Sequence, residues 1–523
     1  MKTDKNKFII LWVDDEIELL RSHIMFLKEK GYQIKTATNG VDALEIIKDT
    51  YISAVLLDEM MDGLNGLEVL KQIKELRPAL PVIMITKNEE ESLMENAIGQ
   101  KISDYLTKPI NPSQILLTLK KNLESRDITR VTQAQNYMQY FSKLNQEINM
   151  GIPSLEEWVN IHQKMIQWSM EFENNPQYDL QNILNEQKEN VNEEFQKVVT
   201  DNYRNWINGE TDFPLSPDIL DTYIKPLVKS KTKTLFIVID CMRYDQWAFI
   251  EPLLYDNFDI ELHSHLSILP TATPYSRNAI FAGEYPKKIG ELYPNLYADK
   301  DNDNGIGINE KEKELLNRYL QKEHLDVKNG VKYIKINNAE FGENIYSNFS
   351  DYNNGLVAMV VNFVDMLTHR RSSSQMLKEI IPDEASYRSV IKNWFRHSYI
   401  KKLFEKAGEL GYIIVVTTDH GSTEVKDGLV VKADKSVSSN VRFKIGRNLN
   451  SDKKKTFYVQ NPGEYKLPTT HVTDNFLFAK DKYFFMYPNN FRKYEKMFKG
   501  TFQHGGISMD EMILPVAILT PKK

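Results

Sequence analysis

The chain has 523 residues and a formal net charge of -6, with 41% hydrophobic residues, 26% charged residues and a single cysteine. A single hydrophobic core stops growing beyond about 250–300 residues, so the length predicts several domains. The small net charge excludes a bulk basic field for nucleic acid, and the lone Cys241 excludes an intramolecular disulfide. No apolar run is long enough for a signal peptide or a membrane span, so we expect a cytoplasmic protein.

Short apolar runs alternate with amphipathic segments from residue 8 to residue 120. Runs such as FIILWV, SAVLLD and PVIMIT are apolar throughout, which is typical of parallel strands buried on both faces. Segments between them, such as ELLRSHIMFLKEKG, have helical spacing. We therefore predict a flavodoxin-like, doubly wound α/β domain over residues 1–123.

The composition changes over residues 124–213, where Gln, Asn, Glu and Lys become common and β-branched runs vanish. The apolar residues Trp158, Ile161, Met165 and Trp168 recur at helical spacing. We predict a helical bundle that connects two domains, with both tryptophans in its core rather than at a binding site.

A second and larger α/β domain is predicted over residues 214–523. The strand-like runs TLFIVID, AMVVNFVD and YIIVVTTD each end on an aspartate. Carboxylates at the carboxyl ends of strands in a mainly parallel sheet lie where open α/β folds bind ligands. The segment 286–330, which contains ADKDNDNGIGIN, is predicted to be a surface insertion.

Polar residues end the predicted strands of the first domain. Asp14 and Asp15 close the first strand, Asp58 the third and Thr86 the fourth, while Lys108 follows the fifth. Three carboxylates at one sheet edge can hold Mg²⁺, and a hydroxyl and an ammonium can contact a phosphoryl group on Asp58. A single aspartate in such a place is more often a solvated turn residue, but five residues in this order are poorly explained that way.

The segments that carry these residues, DD, LLDEMM, MIT and YLTKPI, resemble those of response regulator receiver domains. The resemblance implies that a sensor histidine kinase phosphorylates Asp58 and that Thr86 and Tyr105 move on activation. Asp62 departs from the family, which usually has proline there. We expect this change to alter the loop beside Asp58 without changing the acceptor chemistry.

The last domain contains a set of side chains that suit Zn²⁺, which binds carboxylate oxygen and imidazole nitrogen. The set consists of Asp240, Thr271, Asp365, His369, Asp419, His420 and His504. It divides into two sites if Thr271 supplies an oxygen between them. Asp365 and His369 are four residues apart, so both face one way if the chain turns helical after its strand. Each of these residues alone is weak evidence for a metal site, but the whole set is hard to explain as residues that only pack in the core.

In order and residue type the set resembles the alkaline phosphatase superfamily, in its nucleotide pyrophosphatase/phosphodiesterase-like branch. The resemblance implies two Zn²⁺ ions and Thr271 as nucleophile. It assigns one metal to Asp240, Thr271, Asp419 and His420, and the other to Asp365, His369 and His504. The tail QHGGISMDEMILPV and the fusion to a receiver resemble the PglZ-type output domain of PorX-type response regulators, a family linked to type IX secretion.

These resemblances imply a zinc-dependent phosphodiesterase, and we expect diesters of the short or cyclic oligonucleotide type as substrates. Whether monoesters or diesters are preferred stays open, because monoesterases of the superfamily place an arginine against the phosphate oxygens. Arg243 and Arg277 lie near the motifs in sequence. Each either contacts the phosphate or pairs with an acidic residue.

We expect phosphorylation to produce a homodimer. The alternative hypothesis is a signalling scaffold or transcription-linked regulator with a structural or vestigial zinc site, bound to a sigma factor or a secretion-system component. A complete ligand set with a nucleophile argues against a vestigial site. Direct DNA binding by the connector is disfavoured, since it has no basic stripe and no helix-turn-helix pattern.

Overall fold

The structure is a computed structural model that describes residues 8–61, 63–87, 102–152, 154–174, 177–294, 311–432, 438, 440–469, 471–487 and 491–522, without the side chains of 125–129, 174, 178, 373 and 491. Asp62 and residues 295–310 of the predicted surface insertion lie outside the described residues. The chain divides into two compact units, Met1–Ser142 and Lys143–Lys523.

The first unit has a five-stranded parallel sheet in the order β2-β1-β3-β4-β5. Its strands are β1 Ile9–Val13, β2 Gln33–Ala37, β3 Ala54–Asp58, β4 Val82–Thr86 and β5 Asp104–Thr107. The residues of β3 and β4 are all buried, as the continuous apolar runs indicate. The strand order reverses between β1 and β3, which is where doubly wound sheets bind ligands.

Helices cover both faces of this sheet and confirm the predicted doubly wound fold. They are Arg21–Glu29, Gly40–Asp49, Gly66–Leu76 and Pro112–Leu119. Asn65 caps the third helix in a capping box with Glu68. A Cβ on Gly66 would lie 2.4 Å from the carbonyl oxygen of Asp58. Glycine at this position therefore allows the helix to start directly against the end of β3.

Three long helices follow, Ser125–Met150, Leu155–Asn174 and Tyr178–Trp206, and confirm the predicted helical region. The division between the two units falls inside the first of them. Trp158 and Trp168 are buried, and the ring of Trp158 meets that of Phe195 edge-on at 5.5 Å. Both tryptophans are core residues, as the spacing suggested.

The last of these helices is hydrogen-bonded to the α/β domain within the second unit. The Asn192 side-chain amide donates to Asp481 Oδ1 at 2.7 Å, and its oxygen accepts from the Met509 backbone N–H at 2.9 Å. Across the same unit, the Gln163 amide donates to the Tyr244 hydroxyl. The helices Leu155–Asn174 and Tyr178–Trp206 are therefore integral to this unit.

The α/β domain is built on a six-stranded mixed sheet in the order β7-β18-β10-β6-β9-β8. Its strands are β6 Thr234–Ile239, β7 Phe258–Leu266, β8 Val331–Ile336, β9 Leu356–Val361, β10 Ile413–Thr417 and β18 Ile513–Pro521. Strands β10, β6, β9 and β8 are parallel, whereas β18 runs antiparallel to β10 and β7. The predicted mainly parallel sheet is present, with one antiparallel strand, β18, between β10 and the edge strand β7.

Helices pack on both faces of the mixed sheet. The α-helices described in this domain are Lys225–Lys229, Tyr244–Ile250, Thr273–Ala282, Pro286–Leu292, Glu312–Lys322, Ala339–Asn348, Phe363–Ser373, Gln375–Ile380, Glu384–His397, Tyr399–Glu409, Phe491–Phe498 and Met509–Met512. On one face, Ile237 and Val357 of the sheet share a core with Phe395. On the other, Phe236 contacts Phe281 of the helix Thr273–Ala282, with ring centroids 5.8 Å apart.

Three small sheets complete the domain. They contain β11 Thr423–Glu424 with β17 Phe502–Gln503, β12 Asp427–Val430 with β16 Tyr483–Met486, and β13 Phe443–Gly446, β15 Asn475–Ala479 and β14 Thr456–Val459. Pairing of β11 with β17 brings the segment after β10 next to the segment after β17. Among the helices described, none is long and apolar enough to span a membrane.

Candidate functional site

In the first unit, the predicted phosphoacceptor residues meet at the carboxyl edge of the sheet. Lys108 Nζ lies 2.8 Å from Asp58 Oδ1 and 3.1 Å from Asp14 Oδ2. Carboxylate oxygens of Asp14, Asp15 and Asp58 lie within 4.8 Å of one another. Asp14 and Asp58 are buried while Asp15 is exposed. The cluster can hold a hard divalent cation that is open to solvent on one side.

Burial raises the pKa of Asp58, and the Lys108 ammonium offsets only part of this effect. Burial also disfavours the charged form of Lys108, but its hydrogen bonds to Asp58 and Asp14 outweigh this and raise its pKa. Lys108 therefore stays protonated beside the carboxylate that is to accept a phosphoryl group.

The two predicted switch residues lie on neighbouring strands of the same sheet. Thr86 ends β4, is buried, and donates its hydroxyl to the Glu59 carboxylate. Tyr105 lies on β5 opposite Met84 and is 44% exposed. Their movement on activation stays a prediction.

In the second unit, Asp240, Asp419 and His420 form a fully buried cluster, which we call the first ligand group. Asp240 directly follows β6, and the other two residues follow β10. His420 Nε2 lies 3.7 Å from Asp240 Oδ1 and 3.8 Å from Asp419 Oδ2. Asp419 Oδ1 accepts backbone N–H bonds from Cys241 at 3.2 Å and from His420 at 3.1 Å, so its other oxygen is turned toward the cluster.

The tautomer of His420 follows from its surroundings. Its Nδ1 lies 3.0 Å from the carbonyl oxygen of Gly421, and a carbonyl oxygen can only accept a hydrogen bond. The proton is therefore on Nδ1, and the lone pair of Nε2 points into the ligand group. Burial also lowers the pKa of His420, which keeps the ring neutral and able to bind a metal.

The first ligand group carries excess negative charge. Burial raises the pKa of Asp240 to about 7, although Arg277 opposes the shift. Burial likewise raises the pKa of Asp419. Arg277 Nη1 lies 2.5 Å from Asp240 Oδ2, but its Nε also binds Glu312 Oε1 at 3.1 Å. Lys335 Nζ also lies 3.1 Å from Glu312 Oε1, so two cations face three acids. This leaves a deficit of positive charge that a bound divalent cation can supply.

Asp365, His369 and His504 form the second ligand group. Asp365 and His369 lie on the helix Phe363–Ser373, so the predicted helical turn is present. Asp365 is thus in the first turn of this helix and not at the end of β9. Its Oδ1 lies 3.3 Å from His369 Nε2 and 3.8 Å from His504 Nε2. Burial works against ionisation of Asp365, but the neighbouring histidines hold its pKa below the usual range.

The two ligand groups are neighbours. The rings of His420 and His504 are stacked with centroids 4.3 Å apart, and those of His369 and His504 are 5.6 Å apart. The structure therefore brings six of the seven predicted zinc ligands into two adjoining clusters. The second is more open, because the His369 side chain is 57% exposed.

The seventh predicted ligand, Thr271, is buried, and its hydroxyl is bonded to backbone groups. It donates to the Gly506 carbonyl oxygen at 2.8 Å and accepts from the Gly505 N–H at 3.0 Å. A threonine that the sequence analysis missed, Thr273, instead reaches the first ligand group. Its Oγ1 lies 3.0 Å from His420 Nε2. The segment TATP contains two threonines, and motif order alone does not distinguish them.

Both arginines that were considered for phosphate binding are paired with acids. Arg243 is buried and binds Asp245 through two bonds of 2.9 Å, and it lines a separate cavity of about 400 Å³. Arg277 binds Asp240 and Glu312, as described above. Contact with a substrate stays a prediction for both.

A receiver fold followed by an α/β domain with two clustered sets of metal-type ligands defines a response regulator with a phosphatase-like output domain. Three family models match in turn: the response regulator receiver domain over residues 10–120, the PorX response regulator linker domain over 127–207, and the BREX system PglZ alkaline phosphatase-like domain over 219–519. The last match covers more than half of the chain, and the chain belongs to this PglZ family. Its order of domains is that of a PorX-type response regulator.

Curated relatives and solved structures match shorter stretches. Transcriptional regulatory protein ResD of Bacillus subtilis is 36% identical over 115 residues, which are 22% of this chain and 48% of that protein. A putative NtrX-like response regulator of Rickettsia bellii is 34% identical over 123 residues, 23% of this chain and 26% of that protein. The receiver domain of NtrX from Brucella abortus has 32% identity and a TM-score of 0.21, and the match covers 22% of this chain and 98% of that chain. The chain thus spans about half or less of these two curated relatives.

Proposed function

We propose that the second unit is a zinc-dependent hydrolase of phosphate esters, controlled by phosphorylation of Asp58. The observation that carries the proposal is the adjoining pair of ligand groups, whose six side chains offer carboxylate oxygen and imidazole nitrogen. These donors suit Zn²⁺, and the tautomer of His420 directs the lone pair of Nε2 into the first ligand group.

The arrangement fits a catalytic centre better than a structural one. Structural zinc sites are closed by four protein ligands, whereas catalytic sites have three and keep a position for water or substrate. Each ligand group contains three residues, and the second is partly exposed. Paired metals of this kind stabilise the attacking and leaving oxygens of an in-line displacement at phosphorus.

The nucleophile in this proposal is a threonine hydroxyl at the start of the helix Thr273–Ala282, for which the sequence analysis predicts Thr271. The threonine oxygen attacks phosphorus, and the ester oxygen departs. Water then cleaves the phosphothreonine and restores the hydroxyl. The bound zinc ions supply the charge that lowers the pKa of the hydroxyl, which is a poor nucleophile without them.

Phosphate diesters of the oligonucleotide type are the proposed substrates. Monoesters need a cationic group against their extra negative oxygen, and both Arg243 and Arg277 are engaged by acids of the domain. This favours a substrate in which a second substituent replaces that oxygen.

Regulation is proposed to begin at the receiver. A sensor histidine kinase transfers a phosphoryl group to Asp58, with Mg²⁺ held by Asp14, Asp15 and Asp58. We propose that phosphorylation produces a homodimer, and that the protein acts in the cytoplasm in type IX secretion. The domain order of the PorX-type family supports this assignment.

The test compares hydrolysis of bis-p-nitrophenyl phosphate and p-nitrophenyl phosphate by the full chain loaded with Zn²⁺. We expect faster cleavage of the diester, loss of activity in Asp419→Asn, and normal activity in the control His397→Ala, whose side chain is exposed on another helix. If the chain binds two zinc ions and cleaves neither ester, the hydrolase proposal is wrong. The alternative of a scaffold or transcription-linked regulator that binds a sigma factor or secretion-system component then stands.

A further inference from the structure

We infer that the cavity of about 400 Å³ beside Arg243 binds a small molecule that carries both a carboxylate and an ammonium, namely an α-amino acid with an apolar side chain. We call it the helix-side cavity. Its occupant is not a substrate of the metal centre, and the inference does not depend on hydrolysis of phosphate esters.

The helix-side cavity lies inside the second unit, between the last two of the three long helices and the α/β domain. The helices contribute residues such as His162 and Lys188, and the α/β domain contributes residues such as Arg388 and Asp510. Its volume lies at the lower end of the range of about 300–1,000 Å³ that is usual for small-molecule sites. An amino acid is of a size that suits such a cavity.

Charged side chains of both signs line the cavity. Eight of them are carboxylates and five are lysines or arginines. A ligand with only negative charge is disfavoured, because the acids that surround it would repel it. A ligand with only positive charge would leave the free donors of the cavity without an acceptor. A ligand that carries both charges meets both requirements.

Two donors at the cavity have no acceptor among the described residues. Arg388 is 4% exposed, and its Nε–H has no hydrogen-bond partner, although Nη1 donates to Asp245 Oδ2 at 2.7 Å. The Lys188 ammonium forms no hydrogen bond and no close ion pair with a described residue. Burial lowers the pKa of Lys188 and Arg388 lowers it further, although Glu384 and Asp510 oppose the shift. A ligand carboxylate that accepts from Lys188 and Arg388 would relieve their repulsion.

A pair of acceptors suits the ammonium of the ligand. His162 is 5% exposed, and its Nε2 has no hydrogen-bond partner. This atom lies 3.8 Å from Asp510 Oδ1, and the Arg243 Nη2 that faces the same oxygen is also 3.8 Å away, too far for a hydrogen bond. Burial lowers the pKa of His162, so the ring is neutral and accepts through Nε2 when its proton is on Nδ1. One ammonium nitrogen can then lie about 2.8–3.0 Å from both acceptors.

Apolar side chains complete the lining and suit the side chain of the ligand. Met165, Ile166 and Met509 are all buried and all line the cavity. Methionine is flexible and fills irregular spaces, so two of the three can adjust to a branched or an unbranched hydrocarbon chain. Leucine, isoleucine and methionine are therefore the amino acids that fit best.

The helix-side cavity lies directly behind the first ligand group. Arg243 Nη1 donates to the carbonyl oxygen of Ser422, two residues after His420, at 3.4 Å. A Cβ on Gly421 would lie 1.9 Å from the carbonyl oxygen of Asp510. A ligand bound to Asp510 thus joins the long helices to the segment that carries His420. Because it binds only the folded chain, its occupancy is expected to raise the melting temperature.

The first experiment titrates the full chain with L-leucine, L-isoleucine and L-methionine at millimolar concentration by isothermal titration calorimetry. We expect at least one of them to bind with one molecule per chain. The N-acetyl derivative of that amino acid lacks the ammonium and its amide lacks the carboxylate, so each should bind at least about tenfold more weakly. If none of the three binds, or if a derivative binds as tightly as the parent amino acid, the inference is wrong. Binding of phosphate or putrescine in place of all three amino acids would equally overturn it.

The second experiment locates the site. Lys188→Met and Asp510→Asn are each expected to weaken binding by at least about tenfold, because each removes one charged partner of the ligand. Lys197→Met is the matched control, since Lys197 is on the same helix and its side chain is 63% exposed. Lys188 has no bond to lose, so Lys188→Met should unfold at the same temperature as the unaltered chain without ligand. Unaltered affinity in both cavity variants would place the amino acid elsewhere, and the derivatives of the ligand still decide the matter if a variant fails to fold.

Discussion

His420 and His504 are stacked ring on ring, with an interplanar angle of 19° and centroids 4.3 Å apart. His420 follows β10 and His504 follows β17, and the short pairing of β11 with β17 holds the two segments together. Each ring belongs to a different ligand group. The two ligand groups are therefore in direct contact through these rings. We expect a substitution in one group to alter metal binding in the other.

Replacement of His504 by alanine removes a ligand of the second group and the ring that supports His420. We expect loss of one zinc ion and a fall in diester hydrolysis of at least about 100-fold, the upper end of the effect of losing a group that only supports a ligand. Zinc analysis and steady-state kinetics measure both. An alanine variant that binds two zinc ions with unaltered affinity would show that His504 is not a ligand.

Phosphorylation of the receiver gives a second test. Asp58 is expected to incorporate phosphate from acetyl phosphate with Mg²⁺, and Asp58→Asn to incorporate none. Asp15→Asn is expected to need at least about tenfold more Mg²⁺, since it loses one of few oxygen ligands. Mobility in a phosphate-affinity gel measures the product. Asp49→Asn, exposed at the end of the helix Gly40–Asp49, is the matched control and should behave normally. Incorporation that persists in Asp58→Asn would place the phosphoacceptor elsewhere.

The buried pair of Arg442 and Glu511 supports the loop that carries His504. Glu511 accepts from Arg442 Nη2 at 2.5 Å, from the Gly506 N–H at 2.9 Å and from the Ser508 hydroxyl at 2.6 Å. Removal of one partner leaves a buried charge without compensation, so Glu511→Leu is expected to lower the free energy of unfolding by about 3–5 kcal/mol. Urea denaturation measures the loss.

The double variant Arg442→Met with Glu511→Leu removes both charges together. We expect it to recover a large part of the free energy of unfolding, because no buried charge is left alone. A double variant as unstable as Glu511→Leu would mean that the hydrogen bonds to Gly506 and Ser508, and not the charge on Arg442, determine the loss.

His265 predicts a pH dependence of stability. It is fully buried in β7, and burial lowers its pKa from 6.5 to about 3. Below pH 6.5 the unfolded chain takes up a proton that the folded chain does not, so the stability contributed by the neutral ring is lost as the pH falls from 6.5 toward 3. Between pH 6.5 and pH 5 the loss is on the order of 1–2 kcal/mol.

The measurement compares urea unfolding at the two pH values for the unaltered chain and for His265→Gln, both without zinc. The variant should lose less stability on acidification by that amount. Equal losses in both proteins would show that His265 is accessible to protons in the folded chain.

The parallel strands were correctly predicted from the sequence. Strands β3, β4, β6 and β9 are buried on both faces, so each appears in the sequence as a continuous apolar run. It also identified the six side chains that form the two ligand groups, since their types are those that bind zinc. The small sheets were not predicted, because strands of two to four residues have too short a pattern to recognise.

The sequence did not show which of two threonines, Thr271 or Thr273, has its hydroxyl next to the first ligand group, and the reason is physical. Ala272 between them is extended, with φ -147° and ψ 144°, and the helix begins at the next residue. The direction of each side chain depends on that local backbone and on the loop at Gly505 and Gly506, which lies more than 230 residues further along the chain. Likewise, Arg277 binds Glu312, which begins the helix Glu312–Lys322 within the segment 286–330. The prediction of a surface insertion is wrong for this helix, because one of its faces, with Leu316 and Tyr319, is buried.

The hydrogen bonds of Asn192 to Asp481 and Met509 determine where the protein can be cut. A shortened chain that begins at Lys143 keeps both long helices and these bonds, and it corresponds to one of the two compact units. A chain that begins at residue 214 would lack the helix Tyr178–Trp206. It would leave the partners of Asn192 facing water and would expose the ring of Tyr465, which stacks on Tyr203 of that helix. Expression of the output domain without its receiver should therefore start before the helices and not after them.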